Sequence, residues 1–264
     1  MTSVLDGWTA TTFAHDGMEH VVHRRGTGPG VIVMHEIPGI TPPVARFAQR
    51  VVDAGFTVLL PQMFGVVGKP KTTGYVVAEV ARCCVSHEFS VLAARGSSPI
   101  TIWLRALARA LHAELGGPGV GAIGMCMTGN FALAMSVDAA MMAPVLSQPS
   151  LPGALGAERR AGLHVSDDAL TTIKTRCAKD GLRVLGMRFT RDMNVPAERF
   201  AHLRRELGDA FEAIEIDSAP GNAWGIPTRA HSVVTEDLVD REGHPTRVAL
   251  ERVLAFFDER LRAK

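Results

Sequence analysis

Residues 121–130 read Gly-Ala-Ile-Gly-Met-Cys-Met-Thr-Gly-Asn, and the fold turns on how this stretch is understood. Val120 to Ile123 is an apolar run suited to a buried strand, and Phe131 to Val137 has a helical pattern. Gly124-Met125-Cys126-Met127-Thr128-Gly129 joins them. A glycine on either side of a central nucleophile marks a strand-turn-helix elbow, here with one extra residue before the second glycine. The backbone at such a tip is strained, and its neighbours must be small because strand and helix pass close together. Cys126 is thereby lifted above the sheet at the start of a helix. The unpaired N–H groups and dipole of that helix favour a thiolate, and the Met127 N–H points where an oxyanion would form. The competing reading is a buried structural cysteine, because free cysteine is among the most buried residue types. Partners elsewhere in the chain decide between the two.

Working outward toward the N-terminus, Val31-Ile32-Val33-Met34-His35-Glu36 has the pattern of a parallel strand buried on both faces. Its polar carboxyl end lies on the side where open α/β sheets bind ligands, which puts Glu36 at the mouth of the sheet. Glu36 is either a solvated strand-end carboxylate or a partner of the thiol. Thr41 and Pro42-Pro43 then open a helix to about Ala54, which Gly55 caps, and Phe56 to Pro61 is the next strand. Ahead of all this, Trp8 to Phe13 and Glu19 to Arg24 form an edge hairpin turning at Asp16-Gly17, with His20 and His23 on its solvated face. Gln62 to Pro99 is a long excursion of the kind that walls a pocket. Arg82, Cys83, Cys84, His87 and Arg95 are its candidate substrate contacts, with helix-face or loop positions as the plainer alternative.

A helix from Ser98-Pro99 to Leu115 follows, with Ile102, Leu104, Leu107, Leu111 and Leu115 as its apolar stripe. Beyond the elbow, Met141 to Ser147 is a strand. Residues 148–168 are loop-rich and suited to a partial cap. Asp168 to Ala178 is helical and Leu182 to Phe189 is a strand. Pro196 begins a helix to about Leu207, and Phe211 to Ile216 alternates as an outer strand does. The last helix, Thr246 to Leu261, offers Val248, Leu250, Val253, Leu254 and Phe257 to a core. Strands alternating with helices over the whole length predict one α/β domain, 1–264, with a mostly parallel doubly wound sheet and helices on both faces.

Composition narrows the function. With 28 basic and 27 acidic residues the net charge is +1, which gives no field to hold nucleic acid or an anionic membrane. The four cysteines, at 83, 84, 126 and 177, show no C-x-x-C or Cys/His zinc spacing. The N-terminus has no signal-peptide pattern, and no apolar run reaches transmembrane length. These features predict a soluble cytoplasmic protein, monomeric or a small homo-oligomer, acting on a small neutral or weakly anionic molecule without metal or cofactor.

A thiol whose ordinary pKa is near 8.5 needs a base to attack an ester at neutral pH, and the base needs an orienting carboxylate. Cys126, Asp192 and His231 occur in the order nucleophile, acid, histidine that α/β-hydrolases use. Asp192 lies just past a strand, and His231 follows a Gly/Pro-rich loop after the last one. A turn cap and a surface histidine are the plainer readings of these two. His202, inside a helix, and His244, beside Pro245, are weaker bases. Ile37 is a candidate second oxyanion donor, because this architecture draws one from the loop after an early strand.

Four ordered motifs, His35-Glu36-Ile37-Pro38-Gly39, Gly124-Met125-Cys126-Met127-Thr128-Gly129, Asp192-Met193-Asn194-Val195-Pro196 and Ala230-His231-Ser232, together resemble the dienelactone hydrolase family. The resemblance implies an α/β-hydrolase fold and a Cys126/His231/Asp192 triad. It further implies a Glu36 that contacts the thiol and helps switch it to thiolate, and an oxyanion hole of the Ile37 and Met127 N–H groups. The chain departs from the family at Thr128 and Asn130, where glycines are common, and in a longer 148–168 connection. Ser-Val-Val-Thr after His231 lacks the arginine that grips the dienelactone carboxylate, which argues against that substrate. The expectation is a cysteine-dependent carboxylic ester or lactone hydrolase. A hydrolase of organophosphates or thioesters on the same triad, and a non-enzymatic redox-sensing or binding protein, are the alternatives.

Overall fold

The computed structural model describes residues 3–86, 89, 98–150, 156 and 160–262. The chain opens with the antiparallel hairpin β1 (Thr9–His15) and β2 (Met18–Arg25). Asp16 and Gly17 form its two-residue turn, both with positive φ as such turns require. The two histidines of β2 are less solvated than expected. His20 meets the Trp103 ring edge-on at 5.1 Å between centroids. His23 is half-buried and shares a 3.4 Å hydrogen bond with Gln62, and its burial lowers its pKa.

The remaining strands are β3 (Gly30–Met34), β4 (Thr57–Pro61), β5 (Val120–Met125), β6 (Met141–Ser147), β7 (Val184–Phe189) and β8 (Phe211–Ile216). The sheet order is β1-β2-β4-β3-β5-β6-β7-β8, parallel from β4 onward. β3, β4, β5 and β7 are buried at every position, as central parallel strands must be. Alternation along each strand divides their side chains between two cores. Ile32, Met34, Ala122 and Leu146 face one; Val31, Val33, Ile123, Met125 and Val145 face the other.

Helices cover both faces. α1 (Pro42–Asp53) and α7 (Pro245–Leu261) pack on the second core, and α1 brings Val44, Phe47, Ala48 and Val51 down one stripe. On the first core lie α2 (Thr73–Val85), α3 (Pro99–Leu115), α4 (Gly129–Met135), α5 (Asp167–Lys179) and α6 (Ala197–Leu207). The stripe of α3 runs through Ile100, Trp103, Leu104, Leu107 and Leu111, so Ile102, read as a core residue, points outward. Val248 in α7 is likewise exposed, and Ala249 and Phe256 take up the buried face instead. No helix among the described residues is long and apolar enough to cross a membrane.

Because β3, β5, β6 and β7 are parallel, their carboxyl ends share one rim, and residues just past those ends meet there whatever their separation in sequence. That rim receives the segments carrying Glu36, Cys126, Ser150 and Asp192. The loop beyond β8 adds His231.

Candidate active site

Cys126 is the first residue after β5 and begins a single 3-10 turn, Cys126–Thr128, that leads into α4. Its φ is +58°, a left-handed value that costs a non-glycine residue of order 1–3 kcal/mol. The two glycines of the elbow are held to their identity by contacts. A Cβ on Gly124 would run into the Thr128 carbonyl, and one on Gly129 would lie 2.9 Å from the Pro149 Cα. The extra residue of this elbow, Thr128, is wholly buried. Its hydroxyl accepts from the Met125 N–H at 2.8 Å and lies 3.1 Å from the Met34 carbonyl, tying the elbow to the end of β3.

Asp192 and His231 meet here. The Nδ1–H of His231 donates to Asp192 Oδ2 at 2.6 Å. The second carboxylate oxygen accepts from the Asn194 N–H at 2.9 Å, which fixes the carboxylate's orientation. The His231 imidazole and the Cys126 sulfur line the same cavity, and the sulfur is near enough to raise the pKa of the imidazole. Burial acts to lower the pKa of this histidine, but the charge of the Cys126 sulfur and the hydrogen bond to Asp192 outweigh it. The pKa is held well above the ordinary value. The His231 loop is pinned by Asp237, whose Oδ2 accepts from the backbone N–H groups of His231 and Ser232 at 2.8 and 2.9 Å.

Glu36 is buried, as its place at the sheet mouth allows, but its partners are hydroxyls. Ser232 Oγ donates to Oε2 at 2.6 Å, and Thr235 Oγ1 donates to Oε1. Glu36 therefore ties the end of β3 to the His231 loop. The thiol's hydroxyl partner is instead Ser150, with Oγ 2.9 Å from the Cys126 sulfur. Sequence reasoning missed Ser150. Its position is closely built: its N–H donates to the Cys126 carbonyl at 3.0 Å, and its own carbonyl accepts from Asn130 Nδ2 at 2.8 Å. The neighbouring Pro149 carbonyl accepts from the buried Arg199, which also donates to the Gly162 carbonyl at 2.8 Å. Burial pushes the Arg199 pKa down to about 10, against the pull of Asp192. The signal for Ser150 was register: Met125 pairs with Ser147, so the residues after β6 run beside Cys126.

Cys126, His231, Ser150, Glu36, Ile37 and Met127 line one cavity of about 270 Å³, closed by Lys71, Val76, Val80 and Asn194. Among the described residues the Ile37 N–H has no hydrogen-bond acceptor, and the cis Ile37–Pro38 peptide follows it. The loop is held by His35, buried completely, whose Nδ1 donates to the Glu36 carbonyl and whose Nε2 accepts from the Met63 N–H, both at 3.1 Å. That burial drives the His35 pKa down to about 4.

Arg82 does not reach the cavity. Its side chain is exposed and sits 3.8 Å from Glu79, because α2 turns Val76 and Val80 inward and residue 82 lies about 200° round the helix from Val80. Lys71 is the cation of the cavity wall. Cys83 is buried in the core. Arg95 and His87 lie outside the described residues, as does the Cys84 side chain. No group of three His, Cys, Asp or Glu among the described residues is placed to hold a metal ion.

The sheet order, the elbow and the rim define an α/β-hydrolase fold. The chain belongs to the dienelactone hydrolase family, which matches residues 19–261. Among solved structures it is similar to a putative dienelactone hydrolase from Klebsiella pneumoniae, with TM-score 0.60, 16% identity, and 96% of this chain and 98% of that one covered. A dienelactone hydrolase from Anabaena variabilis gives 0.61 at 15% identity, covering 97% and 98%. A dienelactone hydrolase-like promiscuous phosphotriesterase from metagenomic libraries gives 0.58 at 16%, covering 97% and 98%. At these identities the likeness is one of fold. No curated protein matches the sequence.

Proposed function

We propose that the protein is a cysteine hydrolase of carboxylic esters or lactones, with Cys126 as nucleophile, His231 as general acid and base, and Asp192 orienting His231. The observation that carries this reading is that His231, hydrogen-bonded through Nδ1 to Asp192 Oδ2, shares the wall of one small cavity with Cys126. A protein that only bound ligands would have no use for all three groups together.

The sulfur attacks the acyl carbon, and the carbonyl electrons move onto oxygen. The N–H groups of Ile37 and Met127 receive that oxyanion, each worth about 3 kcal/mol by analogy with other oxyanion holes. Collapse of the tetrahedral intermediate breaks the bond to the leaving oxygen, which takes its proton from His231. Water, deprotonated by His231, then attacks the thioester and releases the acid, leaving the sulfur as it began. Ser150 supports the thiolate by donating to it, since a hydrogen bond to a charged acceptor is among the stronger kind. Glu36 acts at one remove, holding the His231 loop through Ser232 and Thr235.

The cavity's size favours a small acyl group. One sheet with one such site fits a single catalytic domain, with the chain around Pro149 and Ser150 capping the thiol. The free thiols of Cys83, Cys126 and Cys177 suit a reducing cytoplasm. The test is turnover of p-nitrophenyl esters, small lactones, a thioester and a phosphotriester by wild type and Cys126→Ala. Ester or lactone turnover that vanishes in the variant supports the reading; turnover confined to the phosphotriester overturns the acyl assignment.

A further inference from the structure

We infer that the cleft beside Asn194 is a subsite for a leaving group that carries a carboxylate or a phosphate. The inference rests on the acyl-transfer reading above and names its substrate class. The cleft has a volume of about 540 Å³, and Arg191, Asp192, Met193, Asn194, Thr228 and Arg229 lie in its wall. Asn194 also lines the cavity of Cys126, so the two spaces share a wall residue.

Two features point to an anion. Arg191 and Arg229 are exposed, and neither guanidinium has a hydrogen-bond or ion-pair partner among the described residues. Most of the described arginines are satisfied: Arg188, three residues before Arg191, holds Glu215 at 2.9 Å, and Arg252 holds Glu212 at 2.6 Å. The one carboxylate in the cleft wall does not neutralise the pair, because Asp192 is already bonded to His231 and to the Asn194 N–H. Two like charges lining one cleft repel, and an anion between them relieves the repulsion.

The chemistry gives the direction. The proton for the leaving oxygen comes from the His231 imidazole, so the leaving group lies on that side of the scissile bond. Arg191 adjoins Asp192 and Arg229 precedes His231 by two residues, so both cations ride on the loops that deliver the acid and the base. A substituent projecting from the leaving group past Asn194 enters the cleft they line.

The experiment compares 4-acetoxybenzoate and 4-acetoxyphenyl phosphate with the neutral methyl 4-acetoxybenzoate, on wild type and on the Arg191→Gln/Arg229→Gln double variant. The ratio of kcat/KM for an anionic ester to that for the neutral one falls about tenfold in the variant, chiefly through KM, and the wild-type ratio falls as salt is added. Loss for one anionic ester alone identifies whether the subsite takes carboxylate or phosphate. An unchanged ratio, or an equal fall for all three esters, overturns the subsite. Binding of 4-hydroxybenzoate and 4-hydroxyphenyl phosphate, read by calorimetry, tests the cleft without turnover. Weaker binding by the double variant supports it, and equal binding or none contradicts it even where no ester is hydrolysed.

Discussion

The hydroxyl of Ser150 lies 2.9 Å from the sulfur of Cys126, and the same two residues are joined again through the Ser150 N–H and the Cys126 carbonyl at 3.0 Å. The double link leaves the hydroxyl little freedom, so it is ready to donate when the sulfur is anionic. Ser150→Ala should slow alkylation of Cys126 by iodoacetamide at pH 6.5 by roughly tenfold, the worth of one hydrogen bond to a charged group. Ser150→Thr should restore part of the rate. An unchanged rate in the alanine variant would remove Ser150 from the account.

Burial works to lower the pKa of His231, and the Cys126 sulfur and Asp192 together hold it raised. In Cys126→Ala the imidazole titration, followed by NMR, should therefore move down toward the ordinary histidine range. The linkage has a definite sign. A folded-state pKa above the unfolded value stabilises the fold fully below about pH 6.5, and that contribution is lost as pH climbs through the folded value. A titration that ignores the cysteine would contradict the pairing.

Asp192 accepts from Nδ1 and so fixes which imidazole nitrogen faces the sulfur. Asp192→Asn keeps the shape but presents an amide. We expect kcat for esters to fall by at least about a hundredfold with the circular dichroism spectrum retained. A loss confined to KM would assign Asp192 to substrate binding.

His35 has the opposite linkage to His231. Its pKa is driven down to about 4 by burial, so between pH 6.5 and 4 the unfolded chain takes up a proton that the folded chain refuses. Stability falls as pH drops through that window, by about 3 kcal/mol in all. His35→Gln should flatten that part of the pH dependence measured by urea unfolding, and an unchanged slope would show that His35 is not its source.

The elbow and the rim were legible because they depend on local chemistry and on strand order. Gly124 and Gly129 are dictated by the Thr128 carbonyl and by Pro149, and buried apolar runs such as Val31–Met34 announce parallel strands. The pairing of Asp192 with His231 was legible because each lies in a loop past a recognisable strand. Ser150 was not, since a serine in a Pro-rich loop carries no periodicity and its meaning comes from the β5/β6 register. Glu36 was half legible: its place at the mouth of the sheet followed from strand position, but its burial and its pairing with Ser232 and Thr235 depend on how a distant loop folds back. Arg82 misled because charge alone does not tell which side of α2 faces the cavity.

Whether the Cys126 sulfur carries the acyl group is tested directly by mass spectrometry of the protein quenched in acid during turnover of a slow p-nitrophenyl ester. The expected result is an added acyl mass on the peptide containing Cys126, formed at the rate of the nitrophenol burst and absent from Cys126→Ala, which should also have lost esterase activity. Equal turnover by that variant, or an acyl mass on a different residue, would contradict it.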